Sequence, residues 1–380
     1  MESNIVGIIG CGFIGMSLIN CFCQGYQCIG YDINKQRIKD IEKQYCHNNV
    51  KFTSDIKHLS QCKLFLISVP TPLKNNNTEA DLSYVEQSLL ELENIVIKGS
   101  TIVIESSVAI GTTEKLLKKF RDKDIFCGFS PERVDPGRTS PKDNEIAKII
   151  SGLDDESLEV INKWYSKVYQ KIVPVSNTRT AEMCKLYENC FRMININYVN
   201  EINDACIELD INPIEMINAS ATKPFGFMPF YPGLFVGGTC IGINPYYLKM
   251  TSPNIKSLYD ATNNMEERPT QKAYEYLYKY HPKNVLIIGL GFKRGQTNTT
   301  GSGSFPFART LIQNNVNVHY YDPLVESDLC PKMPLDNWTT EKLELEYDLI
   351  VVCIKQINID YQILDNVKKI KVIDFSSGRY

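Results

Sequence analysis

Little in the chain favours polyanion binding: across 380 residues, 41 Lys and Arg stand against 44 Asp and Glu, with no basic block. Without a basic stripe there is no electrostatic footprint for nucleic acid, and that class of partner drops out. Long apolar runs are equally scarce. The run at 6–22 has Glu2 where a signal peptide carries positive charge, and glycines and Asn20 interrupt it. No other segment has the length and apolarity of a membrane span, so no membrane partner is expected. The 13 cysteines include no C-x-x-C pair and follow no secretory signal, so neither a disulfide framework nor a zinc site is indicated. A reduced, cytoplasmic protein without a metal is the expectation. Solenoid repeats and low-complexity tracts are also missing, apart from Asn75-Asn76-Asn77.

What is present alternates. Short β-branched runs at 4–10, 27–31, 63–69 and 100–106 read as strands with helical stretches between them. From Thr180 to about Leu209 one helical spacing runs on without Pro or Gly, through Ala181, Lys185, Tyr187, Phe191, Ile194, Tyr198 and Ile202. The segment 223–245, rich in Pro, Gly and aromatics, reads as an ordered irregular loop. A second α/β pattern opens at Lys283, with strands at 284–289, 316–321, 348–353 and 371–374. The predicted class is α/β: two Rossmann-like doubly wound domains joined by a long central helix and a helical domain. The predicted boundaries are 1–178, 179–281 and 282–380.

Gly10-Cys11-Gly12-Phe13-Ile14-Gly15 fits G-x-G-x-x-G between a predicted strand and a predicted helix. Its glycines permit a tight turn and bring a pyrophosphate close to free N–H groups at the helix start. Asp32 ends the next strand, where a carboxylate accepts from a ribose 2′-hydroxyl and repels a 2′-phosphate, so NAD is favoured over NADP. Gly289-Leu290-Gly291 echoes the first turn but lacks the third glycine and an acid at the right distance, and leaves another nucleotide open there. Lys185 and Asn189, at i and i+4, point the same way and together suit an oxyanion; the alternative is a solvated helix face. Cys240 follows Gly237-Gly238, and a thiol is well suited to attack an aldehyde, although a buried apolar cysteine would read the same.

The stretches SPERVDPG (130–137), AEMCKLYENCFRMIN (181–195), TKPFGFMPFYPG (222–233) and VGGTCIGINPYYL (236–248) resemble the nucleotide-sugar 6-dehydrogenases. SVPTPL (68–73), ESSVAIGTTE (105–114), GFK (291–293) and YDP (321–323) extend the resemblance over almost the whole chain, and it is nearest the branch acting on UDP-N-acetylhexosamines. The resemblance implies oxidation of a sugar C6 alcohol to a carboxylate with two NAD reduced per turnover. It makes Cys240 the nucleophile, Lys185 and Asn189 the holders of the C6 oxygen, and Glu132 the manager of a proton or of the hydrolytic water. The NAD site then comprises Gly10, Gly12, Phe13, Ile14, Gly15, Asp32, Arg37, Val69, Pro70, Thr71, Ser107 and Glu132. Arg192, Phe230, Tyr231, Gly237 and Lys293, with Lys185 and Asn189, fall near the UDP-sugar, and a homodimer built on the long helix is implied.

This chain also departs from the family pattern. Asn244 stands where the family has an Asp that helps to move protons, and an amide cannot accept one. Ser107 replaces a usual Thr, and Thr239 and Gly242 stand for His and Pro. Thr300 and the tail DFSSG (374–378) lack arginines that would grip a pyrophosphate. Three further readings stay open: a UDP-glucose 6-dehydrogenase, a two-electron dehydrogenase of the 3-hydroxyacid type in which Cys240 is incidental, and an impaired homologue that still binds NAD or a nucleotide sugar.

Overall fold

The computed structural model describes residues 4–74, 79–134, 140–236 and 241–376. The chain divides into two compact units, Met1–Glu188 with Tyr246–Pro253, and Asn189–Pro245 with Asn254–Tyr380.

The first unit carries β1 (Ile5–Ile9), α1 (Phe13–Phe22), β2 (Gln27–Tyr31), α2 (Lys35–Gln44), β3 (Val50–Thr53), β4 (Leu64–Ile67), α3 (Ser83–Leu92) and β5 (Thr101–Ile104). It continues with α4 (Thr112–Arg121), β6 (Phe126–Phe129), β7 (Lys148–Gly152), α5 (Asp155–Tyr165) and β8 (Ile172–Pro174). The strands form one sheet in the order β3-β2-β1-β4-β5-β6-β7-β8. All pairs are parallel except β6 with β7. Alternation along each strand divides the core between the two faces of the sheet. Phe65 and Ile67 pack with Ile102 and Ile104, while Leu64 and Leu66 pack with Val103. The strand order reverses between β1 and β4, and ligands of doubly wound sheets bind at the carboxyl ends on either side of such a reversal.

The helix α6 (Thr178–Glu208) runs from the first unit into the second, close to its predicted span. After it come α7 (Pro213–Ser220), α8 (Asn244–Thr251) and α9 (Lys256–Tyr280). The last of these contains Pro269, the kind of residue that ends a helix in a sequence reading, yet Pro269 is buried and the helix continues. Then follow β9 (Asn284–Ile288), α10 (Ser304–Gln313), β10 (Asn317–Tyr321), α11 (Thr340–Glu346), β11 (Leu349–Val352), α12 (Gln362–Asp365) and β12 (Lys371–Asp374). The four strands are parallel in the order β10-β9-β11-β12, each within a residue or two of its predicted place. Among the described residues no helix is long and apolar enough to cross a membrane, and no cluster of metal-ligating side chains occurs.

Candidate active site

The first glycine turn is built for close approach. Gly10 has φ +90°, and a Cβ on Gly15 would lie 1.8 Å from the carbonyl of Gly10, so α1 starts hard against the end of β1. Gly12 differs: a Cβ there would meet nothing within 4 Å, and it caps α1 without any side-chain hydrogen bond. The start of α1 thus carries no side-chain cap, with Phe13 exposed beside it and Ile14 half-buried. Asp32 accepts from the Cys11 N–H at 3.0 Å and the Asn34 N–H at 2.9 Å, and its side chain stays 15% exposed. Arg37 lies 3.9 Å from that carboxylate and donates to the Cys11 carbonyl at 2.7 Å, bracing the turn. Across the strand reversal, Ser68 donates to the Gly10 carbonyl and Ser106 to that of Val69, while Thr71 donates to the Ser107 carbonyl at 2.7 Å. Tyr247 donates to the Thr71 carbonyl, and Pro70 is exposed. An uncapped helix start, a cradle that only glycine leaves open and an accessible ribose acceptor suit a dinucleotide.

Glu132 sits deeper in the same unit. Lys185 of α6 donates to its backbone carbonyl at 2.6 Å and to Oε2 at 3.2 Å, and both residues are buried. Its other oxygen, Oε1, has no hydrogen-bond partner among the described residues, although it is cut off from bulk water. A buried carboxylate oxygen is costly to leave unpaired, which marks it as a group awaiting a ligand or water. Arg133, next in sequence, fastens the loop by donating to Glu188 at 2.7 Å and to the Ala147 carbonyl at 2.8 Å.

In the second unit, Asn189 is buried one helical turn beyond Lys185 and donates an amide hydrogen bond to Asn244. Arg192, a further turn along α6, is exposed. Phe230 meets the Phe191 ring edge-on with centroids 5.8 Å apart, and Tyr231 donates to Asn218 at 2.8 Å. Lys293 is half-buried after β9. Gly237 and Cys240 lie outside the described residues.

The second glycine turn differs. Asp322, wholly buried, takes the N–H groups of Leu290, Gly291, Leu324 and Val325, and the Gln356 amide lies 3.4 Å from it. A Cβ on Gly291 would come within 2.7 Å of that Gln356 amide. The side chain of Gln356 lies over this turn and accepts from the Gly295 N–H at 2.8 Å, so the second turn is more crowded than the first.

The profile of the UDP-glucose/GDP-mannose dehydrogenase family matches twice, its NAD-binding domain over residues 4–173 and its central domain over residues 179–267. Protein CapL of Staphylococcus aureus is 34% identical over 359 residues, covering 86% of this chain and 83% of that one. The chain belongs to this family. UDP-N-acetyl-D-glucosamine 6-dehydrogenase of Pseudomonas aeruginosa is 28% identical, with 86% of this chain and 85% of that one covered. The structure of UDP-D-ManNAc dehydrogenase from Pyrococcus horikoshii superimposes with a TM-score of 0.86 at 26% identity, covering 99% of this chain and 100% of that one. As a member of the family the chain is an NAD-dependent nucleotide-sugar dehydrogenase, and the open turn at Gly10–Gly15 fits that cofactor.

Sequence reasoning passed over several groups around Glu132, namely Arg133, Glu105, Lys148 and Tyr165. Lys148 did leave a signal, a lone charge opening the otherwise uncharged strand KIISG.

Proposed function

We propose that the protein oxidises the C6 alcohol of a UDP-N-acetylhexosamine, UDP-N-acetylglucosamine or UDP-N-acetylmannosamine, to the uronic acid in two hydride transfers. NAD held by the Gly10–Gly15 turn and Asp32 would supply the hydride acceptor for each stage. Lys185 and Asn189 hold the C6 oxygen, the ammonium and amide stabilising negative charge as it develops. The Cys240 thiol adds to the aldehyde carbonyl to give a thiohemiacetal. Loss of the second hydride leaves a thioester, which water hydrolyses to the carboxylate and free thiol. Glu132 takes the proton of that water through Oε1. The reading rests chiefly on this carboxylate, held on one side by Lys185 and left without a partner on the other. The names of the relatives support the sugar class. Residues 1–178 are assigned to NAD, 179–281 to the thiol loop and dimer contact, and 282–380 to the UDP-sugar, with Arg192, Phe230, Tyr231, Gly237 and Lys293 as substrate contacts. A cytoplasmic homodimer completes the reading.

Five buried thiols elsewhere are poor nucleophiles. Burial pushes those of Cys11, Cys62, Cys127, Cys190 and Cys353 up to about 12, where almost none is thiolate at neutral pH. The test incubates a panel of UDP-sugars with NAD, follows NADH and identifies the products by mass spectrometry. Two NADH per uronic acid and loss of acid formation in Cys240→Ser are expected. One NADH with free aldehyde, or an undiminished Cys240→Ser, defeats the reading.

A second reading, an impaired homologue, draws on the amide pairing of Asn189 with Asn244, which provides no proton acceptor. NAD binding without turnover on any UDP-sugar would favour it, and activity restored by Asn244→Asp would identify the damaged step.

A further inference from the structure

Beneath Glu132 lies a polar cluster that the proposed chemistry does not use. Lys148 of β7 is 5% exposed and Glu105, just after β5, is 1% exposed; their charged groups are 2.5 Å apart. Tyr165, fully buried on α5, donates to the other oxygen of Glu105 at 2.5 Å. Lys148 also donates to the carbonyl of Pro131, the residue before Glu132, at 3.1 Å. Lys148, Glu132, Ser17, Asp143 and Tyr169 are among the residues lining one small cavity, with about 20 Å³ open to the centre of a water molecule. Burial pushes the Glu105 carboxyl above the usual range against the pull of Lys148 and Tyr165, and the charge of Glu132 adds to that rise.

A buried ion pair adds little net stability, because desolvation offsets the attraction, so stability is a weak reason for this one. Its distinctive contact is with the Pro131 carbonyl. We propose that Glu105, Lys148 and Tyr165 form a positioning device that fixes the Pro131–Glu132 peptide from below and so presents Glu132 with one carboxylate oxygen free. The tyrosine orients Glu105, Glu105 orients the ammonium, and the ammonium holds the carbonyl; Lys185 holds the next carbonyl from α6. The catalytic meaning of this device rests on the role proposed for Glu132, whereas its geometry does not.

Around Glu132, Lys185 donates to its carboxylate, Glu105 acts on it through charge, and Arg133, Asp143, Lys148 and Tyr169 line the same cavity. The test uses the full chain labelled with 13C-glutamate, with the Glu132 carboxyl signal assigned by its loss in Glu132→Gln. In Tyr165→Phe, which removes no charge, and in the charge-neutral Glu105→Gln/Lys148→Met, the Glu132 carboxyl chemical shift should move while the KM for NAD stays near wild type; the melting temperature should fall by a few degrees, because each variant leaves a buried acceptor without its donor. With a UDP-sugar substrate, kcat of the double variant should fall about 10- to 100-fold, the range expected when a reacting group is misplaced. A folded variant with the wild-type carboxyl shift and kcat overturns the proposal. If the double variant does not fold, the carboxyl shift in Tyr165→Phe decides. If the wild type oxidises no UDP-sugar, the functional reading fails and the carboxyl shift alone still judges the positioning.

Discussion

Asp32 and Asp322 each follow the second strand of a glycine-turn unit, and their surroundings give them opposite tasks. Asp32 accepts two N–H groups and keeps an exposed edge; Asp322 accepts four and has none. Replacing Asp32 by Asn removes a charged acceptor worth about 1.5–3 kcal/mol, so KM for NAD should rise about tenfold or more, as read from initial rates. Asp322→Asn should leave that KM unchanged and cost about 1–3 kcal/mol in urea unfolding, because a buried N–H loses its partner. Only Asp32 was legible in the sequence as an acid ending the second strand; the second turn reads there as lacking an acid at the right distance, because Asp322 follows it at a longer interval. The difference in their surroundings was not legible, since it depends on Gln356, which lies far along the chain from either glycine turn and reaches Asp322 only through the sheet order.

At the scale of elements, α6 and α9 are joined by charge. Asp204 on α6 lies 2.6 Å from Arg268 and 3.1 Å from Lys272 on α9. Arg268 also reaches the Gly233 carbonyl at 3.4 Å, while Asn200 takes the Gly233 N–H at 2.8 Å, so both helices grip the loop that leads towards Cys240. Burial alone would raise the Asp204 carboxyl, but the hydrogen bond and charge of Arg268, with Lys272, hold it below its ordinary value of 3.8. The sign follows from proton linkage: a depressed acid contributes stability fully above its unfolded pKa and loses it as pH falls through the lower folded one. Urea stability should therefore decline below about pH 4. Asp204→Asn should flatten that acid limb and cost about 1–3 kcal/mol at neutral pH, less than a wholly buried pair because Asp204 is 29% exposed. The span of α6 was legible from uninterrupted helical spacing. That of α9 was not, because Pro269 argues against a helix and only its burial beside Arg268 outweighs that local cost.

For the whole molecule, one helix carries side chains of both units, and it leaves an apolar face uncovered. Met183, Tyr187, Phe191 and Tyr198 recur at helical spacing and are exposed, with Tyr187 at 64% and Tyr198 at 61%. If the protein pairs through this face, Tyr187→Glu/Tyr198→Glu should convert a dimer to a monomer in light scattering while the far-ultraviolet circular dichroism is kept. A wild type that is monomeric at micromolar concentration would exclude the dimer. The sequence by itself determined the two α/β halves, the open glycine turn with Asp32, and the family, because strand and helix periods and the backbone freedom of glycine are local properties written in adjacent residues. Only the tertiary structure decided that Gln356 lies over the second turn, and that Glu105, Lys148 and Tyr165 meet beneath Glu132. Hydropathy tells which residues go inside, but the pairing of buried charges follows from strand order and from the need to satisfy each polar atom once water has gone.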